Sequence, residues 1–128
     1  MLAEDISTAL TNAGVVGGST GWAVQRRHMQ SDPDKVVVIY ETGGDAPEQR
    51  WAIDYPGFQI RVRSAADDFV GARQKLLDVF NTLHSGEVNI GGAYVFCYCI
   101  QSGPIPMGAD EVRRPSFVQN YRVMKDRE

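Results

Sequence analysis

The sequence predicts an α+β fold: a single domain with a mixed, mostly antiparallel β-sheet, an N-terminal helix and one long core helix packed against it. Three observations predict it. Phe69, Ala72, Leu76, Leu77, Phe80 and Leu83 recur at helical spacing. Two stretches are built as strands, the β-branched run from Lys35 to Glu41 and the alternation from Phe58 to Arg63. Finally, 128 residues with 43% hydrophobic and 23% charged side chains suffice for one core without disulfide or metal support. No linker, repeat or low-complexity tract divides the chain, so residues 1–128 read as one domain.

The elements follow in order. Leu2, Ile6, Ala9, Leu10 and Ala13 form an apolar stripe with polar residues between, and Gly14 supplies a stop. Gly17, Gly18 and Gly21 then predict a flexible connection that becomes strand-like at Trp22-Ala23-Val24. The run Val36-Val37-Val38-Ile39 predicts a strand covered on both faces or by a neighbouring subunit. Residues 42–50 read as an exposed turn or longer loop. In the next strand Phe58, Ile60 and Val62 share one face, while Gln59, Arg61 and Arg63 share the other.

Ser64-Ala65-Ala66-Asp67 resembles a capping box, which places Asp67 and Asp68 in the first turn of the long helix, where the dipole favours negative charge. The helix is expected to end near Ser85-Gly86, with His84 at its C-terminal end, where a cation is favoured. A third strand covers Ala93 to Ile100 and a fourth Pro115 to Lys125. Between them Ser102-Gly103-Pro104-Ile105-Pro106-Met107-Gly108-Ala109-Asp110 reads as a shaped loop, because proline cannot donate to a ladder and glycine admits unusual backbone shapes.

Charge and motifs then limit the chemistry. A net charge of −3 advertises neither nucleic acid nor an anionic membrane, and Arg26-Arg27 and Arg113-Arg114 read as surface pairs. Glu4 and Asp5 interrupt the apolar residues near Met1, and no run reaches the roughly 20 apolar residues of a membrane span, so cytosolic synthesis and no membrane partner are expected. Cys97 and Cys99 lie two apart on one strand face, a poor disulfide geometry, and are expected to be packed, reduced thiols. His28 and His84 have no zinc spacing, and the glycine-rich loop lacks both the Gly-Lys-Ser/Thr ending and the strand–loop–helix context of phosphate-binding motifs. No nucleophile elbow or metalloprotease helix occurs. Trp51, Tyr55, Tyr94, Tyr98 and Tyr121 are expected to pack in the core and on sheet faces. No catalytic, cofactor-binding or metal residues are assigned.

Three passages, taken together, resemble the minor capsid and tail-terminator (tail-completion) proteins of long-tailed bacteriophages. They are Pro56-Gly57-Phe58-Gln59-Ile60-Arg61-Val62-Arg63 leading into the long helix, the stretch from Gln101 to Asp110, and Arg114-Pro115-Ser116-Phe117-Val118-Gln119-Asn120-Tyr121-Arg122-Val123. The resemblance runs from about Val36 to the C terminus. It implies a virion protein of tail or neck with no enzymatic activity and no cofactor, assembling as a ring, usually hexameric, at the head-proximal end of the tail tube. Its implied partners are further copies of itself, the tail-tube protein and head-completion or neck proteins, with DNA passing through the lumen without specific binding.

The loops 42–50 and 103–114 are then the expected assembly elements. The candidate interface comprises Asp45, Glu48, Arg50, Arg61, Arg63, Pro104, Pro106, Met107, Asp110, Arg113 and Arg114. For Arg61 and Arg63 three roles stand open: cross-subunit ion pairs, lining of a lumen, or ordinary contacts within one subunit. Two further functional readings also stand: a head-completion or connector subunit, and a small ligand-binding domain using the glycine-rich loop.

Overall fold

In the computed structural model, which describes residues 2–48, 50–84 and 86–126, two helices pack on one face of a sheet of nine strands. Helix α1 spans Leu2–Asn12 and buries Ala3, Ile6 and Leu10, one stripe at helical spacing. A left-handed Gly14 ends it, with its N–H donating to the Thr11 carbonyl. Helix α2, Phe69–Leu83, buries Ala72, Leu76, Val79 and Leu83. Val79 thus carries part of the core stripe assigned in sequence to Leu77 and Phe80, which are half-buried, and Phe69 is exposed.

The start of α2 differs from the expected capping box. Asp68 is the N-cap: its carboxylate accepts from the Gly71 N–H at 3.0 Å and from the Ser64 hydroxyl at 2.7 Å. Those two bonds, the Ser64 hydroxyl first, hold the Asp68 carboxyl below its ordinary range. Asp67 lies outside the helix at positive φ, ion-paired to Arg113. Ser85 lies outside the described residues, and His84 caps the C terminus. His84 Nδ1 accepts from the Cys99 N–H at 2.9 Å and its ring stacks on Phe80, so the histidine clasps helix to sheet.

The strands are β1 (Ala23–Arg26), β2 (Val36–Glu41), β3 (Asp45–Glu48), β4 (Ile53–Tyr55), β5 (Gly57–Arg63), β6 (Gly86–Ile90), β7 (Ala93–Cys99), β8 (Ile105–Ala109) and β9 (Pro115–Asp126). β1 runs parallel to β2, and every other pairing is antiparallel. β9 is central, bonded to β5 and β4 along one edge and to β7 and β8 along the other. Its register with β4 (Asp54 with Lys125) continues its register with β5 (Gly57 with Arg122), so β4 and β5 are one strand line interrupted at Pro56.

Sequence reading missed β3, β4, β6 and β8. The segment 42–50 is the far half of a long hairpin: β2 passes through Gly43 and Gly44, both at positive φ, into β3, which pairs with β4 as a projecting arm. Gln49, at the turn, lies outside the described residues. Likewise the proline-rich segment contains β8, which pairs with β9 in a register that slips between Pro106 and Ala109. Proline at a sheet edge removes a donor that no second neighbour needs, so the strand survives.

The core lies between the helices and the inner face. Phe58, Ile60, Val62, Cys97, Tyr121 and Val123 contribute, with Phe58 and Tyr121 stacked at 5.2 Å. As expected, Cys97 and Cys99 are buried, free thiols; burial, reinforced by its neighbour, pushes Cys97 up to about 12. Val36, Val38 and Val118 are buried too, but on the outer face, beside Arg61 and Arg63 in register. A clasp ties α1 to β2: Arg27 reaches Glu4 at 2.6 Å and Glu41 at 3.0 Å. Its hydrogen bond holds the Glu4 carboxyl down to about 2.

Two outcomes follow for stability. Gly44→Ala places a methyl group against the Tyr55 carbonyl at a positive-φ position, and a cost of roughly 1–3 kcal/mol is expected in a denaturant melt. The Glu4 carboxyl is depressed in the folded chain, so its contribution is present above the ordinary value of 4.5 and fades as pH falls towards 2. The melting temperature of the wild type should therefore exceed that of Glu4→Gln slightly at pH 6 and converge with it near pH 2.

Candidate assembly surface

Apart from Arg61 and Arg63 on β5, the predicted interface residues fall into two groups at opposite ends of β9. At the arm, Asp45 on β3 pairs with Arg122 of β9 at 3.1 Å, Glu48 ends β3 in the open, and Arg50 lies over the exposed Trp51 ring at 5.3 Å. At the other end, Pro106 and Met107 are exposed on β8, with Pro104 half-buried just before it. The short loop between β8 and β9 carries Asp110, Arg113 and Arg114.

This second group is held by its own subunit. The Asp110 carboxylate accepts from the N–H groups of Val112 and Arg114 and from the Arg114 guanidinium at 2.7 Å. These bonds, the Arg114 N–H first, hold the Asp110 carboxyl below its ordinary range. Arg114 also reaches the Ser31 carbonyl at 2.6 Å and Asp34 at 3.1 Å. Arg113 pairs with Asp67 at 2.9 Å, both largely exposed.

Arg63 is not a surface side chain. It is 4% exposed and donates to the carbonyls of Ser31, Pro33 and Asp34 at 3.3, 2.6 and 3.1 Å. Desolvation, then the nearby Arg114 charge, lowers its affinity for the proton, while Asp110, Asp34 and Asp32 act the other way. The contact role left open for Arg63 is therefore met within one subunit. Arg63 and Arg114 together fasten residues 31–34 to the sheet. Arg61 shares the outer face but is half-buried between Val38 and Val118, and its Nε has no acceptor among the described residues.

The glycine-rich loop is closed on itself. The Gly17 N–H donates to the Trp22 carbonyl at 2.7 Å, and Thr20 bonds back to Gly17 through its N–H and its hydroxyl. Those donors are turned inward, which disfavours a phosphate cradle. Trp22 is buried with Lys35 and Lys75 over its ring at 5.8 and 5.3 Å. A cavity of about 320 Å³ at the base of the arm is lined by Leu2, Asp5, Glu41, Gly43, Pro56, Gly57, Ile90, Gly91 and Lys125. Its carboxylates are engaged by the subunit: Asp5 accepts from the Gly91 N–H, and Glu41 from the Ala3 N–H and Arg27. Among the described residues no group of three or more His, Cys, Asp or Glu is placed to hold a metal ion.

Sequence reasoning missed the exposed apolar side chains. Tyr94, expected to pack, is 72% exposed, and Phe96 and Met124 are exposed beside each other in register on the outer face. The alternation of Tyr94, Phe96 and Tyr98 against Val95, Cys97 and Cys99 is visible in the chain, but which face is covered is not.

Comparison with known proteins bears on these surfaces. One chain of a solved structure, "Virion of native gene transfer agent (GTA) particle", superposes with a TM-score of 0.73 at 17% identity, over 96% of this chain and 92% of that one. A second solved chain matches over 100% of both chains with a TM-score of 0.54 and 12% identity. At these identities the likeness is one of fold. Comparison with curated protein sequences finds no match. The sequence itself defines the class, a structural protein of the bacteriophage tail and hence of the virion. Residues 10–127 match the family described as bacteriophage tail terminator protein, and the chain belongs to that family.

Arg63→Ala should release residues 31–34 and lower stability by roughly 2–3 kcal/mol in a denaturant melt, since charged hydrogen bonds inside the subunit are lost. Arg113→Ala, which breaks only an exposed pair, should leave the melt unchanged.

Proposed function

We propose that this chain assembles with copies of itself into a closed ring, a hexamer, at the head-proximal end of the tail tube. The ring ends tube polymerisation and presents the surface to which head-completion or neck proteins join, and DNA passes through its lumen without specific binding. The observation that carries this reading is the family match over residues 10–127. Two features of the subunit support it. β3 and β8 each pair along one edge only among the described residues, which leaves backbone groups for strand addition by a neighbour. The two ends of the molecule also differ in shape and side chains, as a head-to-tail cyclic contact requires.

The ligand-binding alternative loses support, because its loop is closed and the carboxylates lining the cavity at the base of the arm are already bonded. Light scattering after size exclusion tests the ring. Six chains of 14.1 kDa give about 85 kDa, and this mass is expected for the chain alone, or as six chains within a heavier complex once purified tail-tube protein is added. A chain that stays monomeric in both conditions would overturn the reading.

A further inference from the structure

The outer face of the sheet carries no helix, since α1 and α2 both pack on the inner face. Register places two neighbouring rungs on it: Val38, Arg61 and Val118 on one, Tyr40, Gln59 and Asn120 on the next. Val38 and Val118 are buried, and the four polar side chains are half-buried. Arg61 differs from the other enclosed arginines. Arg63, Arg114 and Arg122 each donate to a carbonyl or carboxylate oxygen of their own subunit. Arg61 makes no hydrogen bond or ion pair among the described residues: its Nε is closed off from solvent without an acceptor, while its two outer nitrogens reach the surface.

Of the three roles open to Arg61, contacts within the subunit are therefore gone, and its acceptor has to come from outside. A buried donor with no acceptor is uncommon in folded proteins, and a guanidinium flanked by valines has little water to replace one. The neighbours add donors and no charge. Gln59 Nε2 donates to Asn120 Oδ1 at 3.1 Å, and the Tyr40 hydroxyl and Asn120 Nδ2 are left without acceptors among the described residues. Diagonal neighbours on one sheet face lie about 7–8 Å apart, so an oxyanion on Arg61 is also within reach of the side chains of Tyr40 and Asn120. The carboxylates at the margins are already ion-paired, Asp45 with Arg122 and Asp34 and Asp110 with Arg114.

We infer that Arg61 anchors an anion-binding site on the outer face, and that the anion is an aspartate or glutamate carboxylate of another protein chain in the virion. The planar fork of a guanidinium matches a carboxylate through two parallel N–H···O bonds, and docking that excludes water strengthens them. Arginine in such a desolvated position is a frequent centre of binding energy. A nucleic-acid backbone suits the face poorly. Duplex DNA carries one charge per about 1.7 Å and is held by several cations at once, whereas Arg63, Arg114 and Arg122 are committed to internal partners. The margin carboxylates add like charge against a polyanion. The inference rests on membership of the family, which places the chain among other virion proteins, and not on the number of chains in the ring.

Two measurements test it, one for the chemistry and one for the source. In the full-length, nitrogen-15-labelled chain, the Arg61 side-chain resonances are identified by their loss in Arg61→Gln. That variant gives up no internal bond and should melt as wild type does; Arg61→Lys, which keeps stem and charge, replaces it if it melts early. N-acetylglutamate N-methylamide is then added to wild type at constant ionic strength. The resonances should move along a saturating curve with a dissociation constant on the order of 100 mM, the scale of one charged contact, and stay still with the glutamine counterpart. A short DNA duplex that moves them at a lower phosphate concentration overturns the carboxylate assignment, and resonances that respond to neither probe overturn the site. For the source, phenylglyoxal, which modifies arginine, is applied to the free chain and to DNA-free tails that contain it. Arg61 should react at least about tenfold more slowly in the tails, because a docked chain excludes the reagent. Equal reactivity, the outcome for an arginine lining an open lumen, overturns the partner chain. Both measurements are read at Arg61, so a mass that rules out the ring leaves them standing.

Discussion

Strand β9 is hydrogen-bonded along both edges, and much of the molecule takes its position from that. One edge carries the collinear β5 and β4, the other carries β7 and β8. A strand with neighbours on both sides cannot shift register without moving all four, and a shift of one residue would turn Tyr121 and Val123 out of the core. Gln119 shows how strictly the inner face is kept: it is 1% exposed, its amide oxygen accepts from the Tyr121 hydroxyl, and its Nε2 has no partner among the described residues. The inner face holds both helices, through Cys97, Tyr121 and Val123 to the α2 stripe.

The same strand explains why the subunit has two unlike ends. Beyond its last pairing with β5 it continues beside β4, which holds the arm out from the body. Before its first pairing it follows the 110–114 loop, which Asp110 and Arg114 knit to residues 31–34. Charge is used differently at the two ends. Near the arm, ion pairs such as Arg122–Asp45 are partly open to water and contribute little to stability. At the loop, Arg63 is desolvated and its three carbonyl partners replace the lost water, so that cluster is structural. A terminator subunit needs both properties: a body that does not yield and surfaces that remain available to other chains.

Much of the fold was legible from periodicity. The stripes of α1 and α2, the covered run Val36–Ile39, the alternation through β5 and the paired thiols of β7 all follow from side-chain spacing, which local geometry makes obligatory. The membership in the tail terminator family was legible too, through the order of three passages along the chain. Four strands escaped: β4 and β6 are short, and β3 and β8 have a composition that speaks against strands. β8 contains Pro106 and Gly108, and β3 contains Pro47; each is ordered by antiparallel pairing with the strand that follows it, β9 and β4.

The division between sequence and tertiary structure is sharpest at the arginines. Alternation along β5 determined that Arg61 and Arg63 share a face. Only the folded chain decided that Arg63 is enclosed by the carbonyls of residues 31–34, because those carbonyls arrive from a loop some thirty positions away in sequence. Alternation likewise put Tyr94 and Phe96 on one face and Cys97 and Cys99 on the other. Which face was covered depended on where the helices packed, and they packed over the thiols. Spacing along a chain fixes which residues travel together; burial is a property of what lies above them, and that is settled by contacts between distant segments.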